Sequence, residues 1–159
     1  MHPTMAEGFH IYQMYASLRN QLLSALSDAD LAFTPGGENP TLGELCVEIG
    51  EVQQAYIDSF RTFTQDFTYR ADQEGLATSV AELQAWYAQL EEDLEAALSA
   101  LSAEDVENRV IDRGEDFKLP PRIQLEVFKE ALLIFYGKVM VYLKAMGKPR
   151  PDIWNAWIG

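Results

Sequence analysis

A chain of 159 residues with 48% hydrophobic content has ample apolar side chain to build one globular core, which excludes an intrinsically disordered protein. Its 25 acidic residues against 12 basic ones leave a net charge of −13, a surface that repels nucleic-acid backbones and anionic membranes, and no run of Lys and Arg offsets it. Cys46 stands alone, so no internal disulfide forms, and Met1 to Glu7 lacks the basic start and apolar stretch of a signal peptide. These features point to a cytoplasmic protein with no nucleic-acid or membrane partner.

From Ala6 to Ser27, Ile11, Tyr15, Leu18, Leu22 and Ala25 recur at alternating spacings of four and three, which predicts a helix with that stripe inward. Thr34-Pro35-Gly36-Gly37 and Asn39-Pro40 make Ala32 to Pro40 a loop. Thr41-Leu42-Gly43-Glu44 reads as a capping box that opens helix two, whose stripe is Leu42, Leu45, Ile49, Val52, Tyr56, Phe60 and Phe63. Gln65 to Ala77 is a polar crossover. A second capping box, Ser79-Val80-Ala81-Glu82, opens helix three, with Leu83, Tyr87, Leu90, Leu94, Ala97 and Leu101 as its seam. The acidic group Glu91-Glu92-Asp93-Glu95 reads as the solvent face of that helix.

Ser102 to Pro121 is too polar and interrupted for a long helix. Helix four follows Pro120-Pro121 and ends before Gly147, a residue suited to a left-handed cap. Between Ala131 and Met146 only Gly137, Lys138 and Lys144 interrupt apolar residues, as expected of a helix covered on several sides. At that length, with two lysines, it is short for a membrane span, which needs about 20 apolar residues. The fold class is therefore all-α: a four-helix bundle with irregular crossover loops between helices two and three and between three and four, one domain over residues 1–159. In the tail, residues 149–159, Ile153, Trp154, Trp157 and Ile158 either dock on the bundle or meet a second copy. Together with the apolar fourth helix, they make a homodimer the expected assembly.

Three stretches carry a family resemblance. Pro40-Thr41-Leu42-Gly43-Glu44-Leu45 resembles the opening of helix two in the DinB-like four-helix bundles, and Tyr142 to Pro149 resembles their helix-four ending, a Leu-Arg-x-x-Gly followed by proline. Phe135-Tyr136-Gly137-Lys138 stands where members often show His-Arg-Gly-Gln. The resemblance implies relation to metal-dependent transferases that use low-molecular-weight thiols, and to related isomerases. It also implies a metal held by one histidine of helix two and two histidines spaced by four on helix four. Those places fall here on Glu48, Ala131 and Phe135, of which Glu48 alone can ligate, so no metal and no cofactor are expected.

Other donors are poorly placed. Glu126 and Glu130 share the spacing of four, but moving from Ala131 to Glu130 rotates the direction by about 100° on a helix of 3.6 residues per turn. His2 and His10, the only histidines, both lie near the N-terminus. Cys46, with no histidine beside it, reads as core filler. Glu48, on the face of Leu45 and Val52, is expected to point at least partly inward and to pair with Lys138 or with a tyrosine hydroxyl, Tyr12 or Tyr136. The expected pocket is thus Glu48, Ala131, Phe135, Lys138 and Tyr12. Two functions follow: a small-molecule-binding or interaction protein that has lost the family ion, or a transferase or hydrolase using relocated ligands or Glu48 as general base.

Overall fold

Capping residues fix where the long helices begin. The computed structural model describes residues 1–157, the backbone alone for Trp157. In it, α1 (Pro3–Ala25) starts with proline in its first turn, and His2 accepts the Thr4 amide through Nδ1 at 3.3 Å. After a single helical turn, α2 (Asp28–Leu31), Thr41 caps α3 (Leu42–Thr62). The Thr41 hydroxyl accepts the Glu44 amide at 3.1 Å, and the Glu44 carboxylate accepts the Thr41 amide at 2.7 Å. The box expected ahead of α4 (Val80–Ala100) forms only by half: Ser79 caps the Glu82 amide, while the Glu82 carboxylate accepts from Gln73 instead.

Between Ser102 and Pro121, expected to be irregular, the chain makes α5 (Ala103–Asn108) and a small antiparallel hairpin, β1 (Ile111–Asp112) with β2 (Lys118–Leu119). Ser102 and Asp105 cap α5 reciprocally, a signal present in the sequence but short. Then α6 (Pro121–Met146) runs to Gly147, whose φ of 66° closes it, and α7 (Trp154–Trp157) ends the described chain.

Side-chain pairs give the helix directions. Glu48 meets Lys138 and Ser59 meets Gln124, so α3 and α6 are antiparallel. Gly8 lies against Leu125 and Tyr15 against Tyr136, so α1 and α6 run parallel. Tyr87 meets Cys46 and Asp93 meets Arg61, so α3 and α4 are parallel as well. A parallel successor forces the chain to travel back along the bundle, which is why the stretch from Phe63 to Ser79 is long. Gly50 permits the close approach of α4: a Cβ there would lie 2.2 Å from the Trp86 ring.

The core contains the expected seam of α4 and most of the expected stripe of α3. In α1 the stripe is rotated: Ile11 and Ala25 are exposed, and Met5, Phe9, Tyr12, Ala16, Arg19 and Leu23 face inward with Leu18 and Leu22. The reason is polar, because Tyr12 and Arg19 satisfy each other's neighbours in the centre of the bundle. In α6, Leu133, Ile134 and Val141 remain exposed, so one face of this helix is not covered within the chain.

The tail is held at two points. Lys148 pairs with Asp30 of α2. Burial would raise the Asp30 carboxyl, but hydrogen bonds from Lys148 and Ser27 hold it down at about 2. Trp154 is fully buried, donates from Nε1 to the Leu18 carbonyl at 3.1 Å and packs edge-on against Tyr136. The expectation for Trp157 and Ile158 concerns side chains outside the described residues. Trp154→Ala is expected to cost about 3–5 kcal/mol in urea unfolding, whereas the exposed Ile153→Ala changes stability by less than about 0.5 kcal/mol. Equal effects would contradict the docking of Trp154.

Candidate functional site

Because α3 and α6 are antiparallel, the N-terminal half of α3 faces the C-terminal half of α6, and a groove runs between them. One part of it is a depression of about 130 Å³ lined by Leu45, Glu48, Ile49 and Val52 of α3 and by Ala131, Ile134, Phe135 and Lys138 of α6. Toward the Pro35–Pro40 loop it continues into a wider hollow of about 320 Å³, with Val141 and Tyr142 as its α6 wall. The Tyr142 hydroxyl donates to the Pro40 carbonyl at 2.8 Å and ties that loop to α6. In the other direction a third hollow, bounded by Glu51, Phe67 and Arg70, also touches Glu48.

Four of the five expected pocket residues, Glu48, Ala131, Phe135 and Lys138, come together in this groove. Phe135 is 3% exposed and closes the floor. Lys138 Nζ lies 3.4 Å from Glu48 Oε1, and the two side chains are 50% and 55% exposed. Glu48 is therefore not turned inward as expected: Leu45 and Ile49 take the core positions of α3, which leaves Glu48 on the groove rim. An ion pair so exposed contributes about 0–1 kcal/mol, so it shapes the groove without holding the bundle together.

Tyr12 does not join them. It is fully buried on the other side of α3, where its hydroxyl accepts from Gln53 Nε2 at 2.9 Å. Burial pushes this hydroxyl up to about 12, which keeps it neutral. Gln53 in turn accepts from Arg19 Nη1 at 2.7 Å, Arg19 Nη2 reaches Glu91 at 3.2 Å, and the guanidinium lies 3.7 Å from the centre of the Tyr87 ring. Glu91 is thus drawn inward, and Asp93 is tied to Arg61, so only Glu92 and Glu95 of the acidic group are fully on the solvent face. Reading the sequence by apolar spacing missed this network. The signal was Arg19, one heptad after Tyr12 on the same helix face, and Gln53, one turn after Ile49.

The remaining candidates fall elsewhere. Tyr136 donates to the Tyr15 carbonyl, Glu126 pairs with Lys129, and Glu130 and His10 are exposed. Burial pushes the Cys46 thiol up to about 12, so it is an inert core residue. Among the described residues no group of three or more His, Cys, Asp or Glu is placed to hold a metal ion. The donor set in the groove, one carboxylate already beside an ammonium, does not fit a three-histidine ion. Among the described residues no helix is long and apolar enough to cross a membrane.

Helix order, groove and capping pattern together define a four-helix bundle of the DinB type. The chain belongs to the DinB superfamily, whose family model matches residues 11–128. Among solved structures it is similar to a DinB-like protein, YjoA, from Bacillus subtilis, with a TM-score of 0.71 at 17% identity over 92% of this chain and 96% of that one. That likeness concerns the fold. No curated protein matches the chain.

Proposed function

We propose that this chain is a DinB member without the catalytic ion, which binds a small amphipathic molecule in the groove between α3 and α6. The observation that carries the reading is the lining at the family's ligand places. Glu48, Ala131 and Phe135 share one depression whose walls are apolar and whose only charges are the Glu48–Lys138 pair. Apolar walls with a few convergent polar groups are the ordinary build of a small-molecule site. Catalysis by Glu48 as general base draws no support from this geometry, since the burial that would suit the role is missing. Relocated ligands draw none either, for want of converging donors among the described residues.

We further infer a homodimer that closes over this groove. Ile134 is 63% exposed and Val141 57%, and each also forms part of a groove wall. From Ala131 to Met146 the helix carries no acidic residue, so two copies of a chain with net charge −13 meet there with the least repulsion. The lone, buried Cys46 is compatible with the cytoplasm.

Two measurements follow. Titration with 1-anilinonaphthalene-8-sulfonate, an anion with an apolar body, is expected to give saturable emission that falls at least about fivefold in Ala131→Trp, which fills the depression, or in Lys138→Glu. Emission that does not saturate, or is unchanged in Ala131→Trp, argues against the groove. Sedimentation is expected to show a dimer for the native chain and a monomer for Ile134→Lys/Val141→Lys; a native monomer contradicts the second copy.

A further inference from the structure

A separate cluster lies nearer the other end of α3 and α6, under the β1–β2 hairpin. Arg113 follows β1, and its amide donates to the Phe117 carbonyl at 2.9 Å, which sets both residues at the base of the hairpin turn. Its Nη1 donates to Gln124 Oε1 at 2.7 Å and lies 3.5 Å from the Tyr56 hydroxyl. The guanidinium carbon is 5.6 Å from the Tyr56 ring centre and 5.8 Å from those of Phe67 and Phe117. Phe67 is 46% exposed and Phe117 54%.

Two things about this cluster are unexplained by folding alone. Arg113 is half-buried, yet among the described residues no carboxylate pairs with it, in a chain whose acids outnumber its bases by 25 to 12. The neighbouring Asp112 is engaged elsewhere, by Lys118 at 3.7 Å and by the Gly114 amide at 2.8 Å. Among the described residues, the Nε and Nη2 edge of Arg113 therefore has no protein acceptor. The second is a chain of forced choices. A guanidinium only donates, so Gln124 must turn its Oε1 to Arg113, which sends its Nε2 to the Ser59 hydroxyl and to Gln65. Gln65 must then present its own oxygen, and its Nε2 is left buried with no partner. An orphaned buried donor is destabilising, so this end of the chain of hydrogen bonds is not fully satisfied by the fold.

We propose that this cluster binds a small carboxylate bearing an apolar or aromatic group. The carboxylate accepts two parallel hydrogen bonds from the open edge of Arg113, the geometry for which a guanidinium is pre-shaped. Gln65 is linked to Arg113 through Gln124, so its side-chain amide senses what binds there. The apolar body lies between the exposed rings of Phe67 and Phe117, whose faces already meet the cation. Phe67 also borders the hollow that reaches Glu48, so the two sites are neighbours, but this one rests on Arg113 and not on the groove.

The test is an NMR titration of the isotope-labelled full chain with 3-phenylpropionate in the millimolar range, with 3-phenylpropanamide as the uncharged control. Saturable shifts are expected at the Arg113 Nε–H, the Gln65 side-chain amide and the Phe67 and Phe117 rings, with the amide binding at least about tenfold more weakly. Arg113→Lys, which keeps the charge and loses the fork, is expected to weaken binding about tenfold. Phe117→Ser, at an exposed position, gives a second loss without touching the core. Equal shifts with the amide, or none at Arg113 and Gln65, overturn the proposal and leave the rings as a lock for the hairpin. Shifts confined to Leu45, Glu48 and Ala131 also overturn it, while leaving the groove reading intact.

Discussion

Everything in this bundle is arranged around a charge that has no access to water. Arg19 is fully buried where α1, α3 and α4 converge, and burying a guanidinium costs several kcal/mol unless each donor is met. The Gln53 oxygen, the Glu91 carboxylate and the face of Tyr87 meet it from two other helices, and only its Nε lacks a partner. Sliding α1 by one turn would strip all of these contacts at once. A buried ion pair of this kind adds little net stability, but it makes alternative registers expensive. With three helices so constrained, α6 is placed by apolar packing, by Tyr136 on the Tyr15 carbonyl and by the Trp154 plug.

That division of labour leaves the lining of the groove between α3 and α6 outside the buried polar network. No residue of its lining takes part in the Arg19 network, so the fold does not depend on what the lining carries. Ala131 and Phe135 stand in the groove without touching that network, so the lining can carry packing residues without disturbing the core. Phe135 contributes to the core, and the groove above it is mostly apolar. The chemistry of the groove is thus set separately from the scaffold, in keeping with the general independence of fold and activity.

The parts legible in the sequence were those fixed by local chemistry. Thr41 with Glu44 announced the start of α3, Gly147 the end of α6, and the spacing of Leu83, Tyr87, Leu90 and Leu94 the buried face of α4. What escaped depended on long-range polar contacts. Ile11 was placed inward because apolar spacing cannot see that Tyr12 has a partner in Gln53, forty-one positions away. Glu48 was placed inward because one helical position separates it from Ile49, and only packing decides which of the two faces the core. The hairpin that carries Arg113 has strands of two residues each, too short for any alternation to show.

The metal position itself is the most direct point of attack. The full chain, purified without chelators, would be dialysed separately against zinc, nickel and manganese and the retained metal counted per chain. With Ala131 and Phe135 unable to ligate and Glu48 beside Lys138, no ion is expected to remain at a level approaching one per chain. Retention of one ion per chain, lost in Glu48→Ala, would contradict this and restore metal chemistry to the groove.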